Sequence, residues 1–237
     1  VAAFLLHQYQ ERNLLKEAAS WVLPSALGLS FAAFGEEFNV NSLTYHSEYG
    51  VTISFAAGAI MVLLTSTVWA KLSKQVFART SLYVSQSLYT IAIFQAFISP
   101  INYTWVQPLV MASGIGMYSY FYNRIGAKWI AYFISITTIL CYFSVIHAIT
   151  ENYAIYHLVK ALAPTVGAIL LLAIAGLNRR SNSDFEAAFA WVGHLILPLA
   201  LVFSWFVYHT DAIFCFILSL AGYAVSTKFA VKEWKIK

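Results

Sequence analysis

Charge is what this chain lacks. Only 10% of its 237 residues are Asp, Glu, Lys or Arg, where an ordinary soluble domain carries about 25%. So few charges cannot clothe a water-facing surface, and 60% of the residues are apolar, with a mean hydropathy of +0.70. A soluble globular protein is thereby excluded, because lipid must replace water over much of the surface. Cysteine is nearly absent too. Cys141 and Cys215 both lie inside apolar runs, with no CxxC pair, so zinc-ribbon and thioredoxin-type chemistry has no support. The basic residues come in short clusters rather than in one patch interleaved with aromatics, so the net charge of +4 points to no nucleic-acid partner. P-loop, dinucleotide fingerprint, nucleophile elbow and paired-carboxylate motifs are all missing.

Long apolar runs are what the chain has. A spanning helix needs about 20 mostly apolar residues. Eight runs qualify, over 18–34, 51–70, 82–98, 105–122, 129–149, 158–177, 187–208 and 212–231. They are continuous and do not alternate apolar with polar, which favours helices over a barrel. The expected fold is an all-α, polytopic integral membrane helix bundle of about eight transmembrane helices. Residues 1–17 form a cytoplasmic or interfacial segment, 18–231 one eight-helix transmembrane domain, and 232–237 a basic cytoplasmic tail. The chain opens at Val1 without a methionine, and VAAFLL is too short for a signal-peptide core with its cleavage site.

Positive charge orients the threading, because cytoplasmic loops retain Lys and Arg. With the connections assigned alternately to two sides, one side collects every basic residue of the 14 except Lys160. Both ends of the eight-helix unit therefore face the cytoplasm, and the cell membrane, as a bacterial inner membrane, is the expected location. Trp105, Tyr153, Tyr156, Trp205 and Tyr208 fall near the outer ends of the runs, as rings with a polar edge do. GEEFNVNSLTYHSEYG, residues 35–50, has three carboxylates and no Lys or Arg. It reads as the first extracytoplasmic loop, and its carboxylates need no catalytic purpose there.

Ionisable groups inside a membrane are costly and tend to be functional, so they define the candidate sites. His194 is the deepest, in WVGHLILP. Pro198, four positions on, lacks the N–H that the His194 carbonyl would accept. Imidazole and freed carbonyl at one helical level suit a proton, a cation or a polar substrate. Lys160, near the start of its run, can snorkel outward as an interfacial anchor. Gln86, Gln95 and Gln107 add neutral polarity. The expected substrate-binding set is His194, Pro198, Lys160 and Gln95. Pro24 and Pro164 would free the carbonyls of Ser20 and Lys160 in the same way.

Four histidines, His46, His147, His157 and His209, collect on the outer side by topology, together with Glu36, Glu37, Glu48, Glu151 and Asp211. They supply enough nitrogen and oxygen for a metal, but no HExxH or HxxxH spacing organises them. Lys228 sits at a cytoplasmic boundary rather than mid-helix, against a retinal Schiff base, and no resident cofactor is expected. WVLPSALG (21–28) and KALAPTVG (160–167) share a proline followed by Ser or Thr and then glycine, on helices of opposite direction. Two short matches in a chain this rich in Ala, Leu and Val do not establish a repeat.

Three functions remain open. The first is transport or binding of a small neutral or lipid-like molecule between helices, because almost no charge lies at the midplane. The second is a non-catalytic membrane subunit or sensor domain, with a membrane protein partner or further copies of itself as a homo-oligomer. The third is a metal-dependent enzyme at the extracytoplasmic face. Membrane lipids are the expected surroundings in all three.

Overall fold

A computed structural model of the chain describes residues 13–41, 47–98, 105–152, 157–208 and 211–229. The described residues form eight helices: α1 (Asn13–Asn41), α2 (Ser47–Lys71), α3 (Gln75–Ile98), α4 (Val106–Ile125), α5 (Lys128–Asn152), α6 (His157–Asn178), α7 (Ser183–Tyr208) and α8 (Ala212–Phe229). Five contain stretches long and apolar enough to cross a membrane: Gly50–Lys71, Gln75–Ile98, Lys128–Thr150, Leu158–Asn178 and Ser183–Val207. The α8 helix has a shorter apolar stretch, Ala212–Ala224. Acidic residues and Pro24 dilute α1, and Gln107, Asn123 and Arg124 dilute α4.

Several helices run past the limits read from the sequence: α3 starts at Gln75 rather than 82, and α2 at Ser47 rather than 51. The α1 helix continues to Asn41, so Gly35–Asn41 is helical rather than loop. No proline occurs between Pro24 and Pro100, and one glycine is a weak helix breaker, costing about 1 kcal/mol.

The chain divides into two compact units, Val1–Asn102 and Tyr103–Lys237. In the first, α1, α2 and α3 each pack on the other two. Every fourth residue of α1 from Ser20 through Pro24 and Gly28 to Ala32 is buried, which sets one narrow face of the helix inward. That face is made of small residues, so neighbouring backbones can close on it. A Cβ on Gly58 of α2 would stand 2.6 Å from the Gly28 carbonyl oxygen, and Leu88 of α3 rests directly on Gly28. Polar contacts then tie the helices together. The Ser66 hydroxyl of α2 donates to Ala78 O of α3 at 2.7 Å. The Thr80 hydroxyl of α3 donates to Ser20 O of α1 at 2.8 Å, the shortest of its three acceptors. Pro24 has no N–H for Ser20, so Thr80 supplies from a neighbour what the helix itself cannot.

In the second unit α4 pairs with α5, and α6 packs on α5, α7 and α8. Gly126 ends α4 in the left-handed conformation (φ +69°), and its N–H returns to Tyr122 O at 2.7 Å. Asn182 caps α7. Its Oδ1 accepts from the main-chain N–H of Asp184 (3.0 Å) and of Phe185 (3.2 Å), and its amide donates to the Tyr122 hydroxyl at 3.2 Å. That hydroxyl lies 3.1 Å from Asp184 Oδ2, so the start of α7 is held to the end of α4. Asp184 and Glu186 in the first turn also suit the positive end of the α7 dipole. The Lys128–Asp184 ion pair, 3.8 Å with Lys128 largely exposed, adds little.

Pro164 lies inside α6, where neighbouring helices bring donors to nearby carbonyls. The Ala161 oxygen, three residues earlier, accepts from the Ser204 hydroxyl of α7 (3.2 Å) and the Cys215 thiol of α8 (3.3 Å). The Tyr142 hydroxyl of α5 donates to Ala163 O at 2.9 Å. Side chains of three helices therefore converge on carbonyls beside one proline. Cys141 and Cys215 are both free thiols, and Cys141 lies 3.7 Å from Pro108 O.

Candidate functional site

The α7 and α8 helices run antiparallel across the short connection at 209–211, so residues near the start of α7 face residues near the end of α8. Ser204 and Cys215, which share the Ala161 oxygen, mark one level. His194 and Tyr223 mark another, about 15 Å further along by the rise of ten α7 residues. Their rings stack with centroids 5.6 Å apart and planes 14° from parallel.

Along α8 between these levels lies an open crevice of about 350 Å³, lined by Phe216, Ile217, Ser219, Leu220 and Tyr223 of α8 and by Leu201 of α7. Four of its six residues are aliphatic or phenyl side chains, and two carry hydroxyls. Ser219 is 2% exposed, and its hydroxyl has no hydrogen-bond partner among the described residues. Phe216 also meets Trp205 edge-on, with centroids 6.4 Å apart. The crevice therefore offers apolar walls, a buried hydroxyl and a tyrosine backed by imidazole. That combination suits an apolar body with one hydrogen-bonding end.

His194 and Pro198 lie one turn apart on α7, and His194 reaches the crevice through Tyr223 rather than lining it. Pro198 is exposed on its helix and Leu201, three residues on, is in the wall. Lys160 is half-buried in the first turn of α6, beside Ala161. It therefore belongs to the Ser204 level, not to that of His194. Gln95 is half-buried on α3, in the first unit. Within the second unit, the α7 pair lies beside the crevice and Lys160 at the other level.

Of the four histidines named for a metal, His46 and His209 lie outside the described residues, as does the 42–46 part of the first loop. His157 begins α6, and His147 is exposed on α5. Among the described residues no three His, Cys, Asp or Glu side chains gather to hold a metal ion.

Sequence reasoning missed Ser219, Tyr223 and Leu201. Cys215, Ser219 and Tyr223 recur every fourth residue along an otherwise apolar α8, and that stripe was the available signal. No protein family model, curated protein or solved structure matches this chain, so the site is read from its own residues.

Proposed function

We propose that this multi-pass membrane protein binds and carries a small neutral or lipid-like molecule between its helices, with the α7–α8 crevice as its seat. The reading is carried by one observation: a crevice with apolar walls holds a buried, unpartnered Ser219 hydroxyl beside Tyr223. A charged solute would find no counter-charge among these lining residues. A long-chain alcohol or a similar amphiphile would bury its chain against Phe216, Ile217 and Leu220 and place its hydroxyl on Ser219.

The finer threading belongs to the same proposal. Eight crossings with both ends cytoplasmic, in a cell membrane of the bacterial inner type, are supported by the grouping of the basic residues. Cysteines placed at the exposed Ser73 and Ser181 would then be labelled from one side, and one at Asn102 from the other.

A brominated long-chain alcohol tests the binding. In a variant that keeps Trp205 as its one tryptophan, the alcohol should quench fluorescence saturably in reconstituted membranes. Ser219→Leu, which fills the crevice and removes the hydroxyl, should leave only the linear quenching expected of lipid partitioning. Saturable quenching that survives Ser219→Leu moves the site elsewhere. Flux of the same alcohol across protein-containing vesicles then separates carriage from binding.

A further inference from the structure

Two triplets of helices, α1–α3 and α6–α8, repeat one set of contacts. The first helix of each carries a proline, Pro24 or Pro164. Just before it, a carbonyl is taken by a side chain of the third helix: Ser20 O by Thr80, and Ala161 O by Cys215. Four residues after each proline, the main-chain carbonyl meets a glycine of the second helix. A Cβ on Gly58 would lie 2.6 Å from Gly28 O, and one on Gly193 would lie 3.2 Å from Ala168 O. The same glycines also reach the residue eight past each proline: Ala32 N at 3.6 Å and Leu172 Cγ at 3.0 Å. The third helix closes each set against the first, through Leu88 on Gly28 and through Gly222 against Ile169.

The numbering keeps step as well. Pro24, Gly28 and Ala32 stand 140 positions before Pro164, Ala168 and Leu172, while Gly58 and Thr80 stand 135 before Gly193 and Cys215. The difference of five falls between the first and second helices of the triplets. Second and third helices are joined by three residues in both, 72–74 and 209–211. A single glycine–carbonyl approach is ordinary packing of membrane helices. Not every contact keeps this step: Ala161 stands 141 after Ser20, Gly222 stands 134 after Leu88, and the glycine of that last contact has changed helix. Five positions in register within one order of contacts are what a duplicated and since diverged unit produces.

We infer that α1–α3 and α6–α8 are two copies of one three-helix module, and that the second copy starts from the opposite side of the membrane. The repeat stands on the contacts alone. The inversion rests on the proposed eight-span threading, in which the first and sixth crossings begin on opposite sides. Inverted repeats recur in carriers that expose one site alternately to the two sides, so the inference deepens the carrier reading over the subunit and sensor readings. The copies have diverged at the crevice. Phe216, Ile217 and Leu220 are exposed there, whereas Ser81, Leu82 and Ser85, 135 positions earlier, are buried.

Double-mutant cycles on the full chain in lipid nanodiscs test the repeat. Pro24→Ala returns an N–H to the Ser20 carbonyl and makes the Thr80 hydroxyl redundant. Thr80→Val should therefore lower the melting temperature by about 2–4 °C alone, and by less than half as much beside Pro24→Ala. Absence of that coupling overturns the first triplet's set of contacts, and with it the repeat. Pro164→Ala restores an N–H to Lys160 rather than to Ala161, so the second triplet is tested by oxidative cross-linking, in a Cys141→Ser background. Both Ser20→Cys with Thr80→Cys, and Ala161→Cys with native Cys215, should then form disulfides, and failure of one pair overturns the repeat. Glu17→Cys and Leu158→Cys, exposed near the starts of α1 and α6, should react with an impermeant maleimide from opposite sides. Reaction from the same side overturns the inversion. Loss of alcohol binding moves none of these readouts, so the repeat and the ligand reading fail separately.

Discussion

Tyr223 lies face to face with His194, their ring centroids 5.6 Å apart and their planes 14° from parallel. The pair joins α7 to α8 at one end of the crevice and presents the tyrosine to it. Stacked aromatic pairs contribute about 0.5–1.5 kcal/mol beyond the area they bury. His194→Ala, Tyr223→Ala and the double variant should therefore show a coupling of about that size in thermal unfolding. Tyr223→Phe keeps the ring and should keep the coupling, while changing how an alcohol binds.

Gly58 and Gly116 should respond oppositely to alanine. A methyl group at Gly58 would press on the backbone oxygen of Gly28, which has no side-chain freedom with which to yield. Overpacking of this kind costs about 1–3 kcal/mol, so Gly58→Ala should lower the melting temperature and the yield of folded protein. Nothing stands within 4 Å of the same methyl at Gly116. Gly116→Ala should raise stability by up to about 1 kcal/mol, the helix-propensity difference.

Asn182 does three things at once: it accepts two N–H bonds at the start of α7 and donates to Tyr122. Asn182→Ala should cost about 1–2 kcal/mol, at the upper end for a lost N-cap. Asn182→Asp keeps the acceptor and should recover most of that. Melting curves of the two variants in detergent separate the cap from the tyrosine contact.

Gln86 is 5% exposed, and neither end of its amide has a hydrogen-bond partner among the described residues. A buried polar group left unsatisfied costs about 1–3 kcal/mol. Gln86→Met, of similar length and apolar, should therefore raise the melting temperature. A fall on this substitution would show that the amide is engaged in the folded protein.

Much of the architecture could be read along the chain. The apolar runs over 51–70, 129–149, 158–177 and 187–208 each coincide with a helix able to cross a membrane. The site was less legible. His194 stood out because an imidazole among Leu, Ile and Val is conspicuous. Its stacking partner did not, since Tyr223 resembles any interfacial tyrosine until α8 is laid beside α7. Freed carbonyls were foreseen at Ser20 and Lys160. Thr80 answers the first, while around Pro164 the neighbours' donors fall on Ala161, one residue later.

From the sequence alone came the helical, membrane-compatible character of this protein and the approximate limits of its helices. In lipid each segment must satisfy its own backbone, so the requirement is local and is written in consecutive residues. Tertiary structure decided which side chain reaches which carbonyl beside a proline, and which side chains line the crevice along α8. Those outcomes depend on how closely helices approach at Gly28, Gly58 and Gly193, and that distance is set by pairs of residues far apart in the chain.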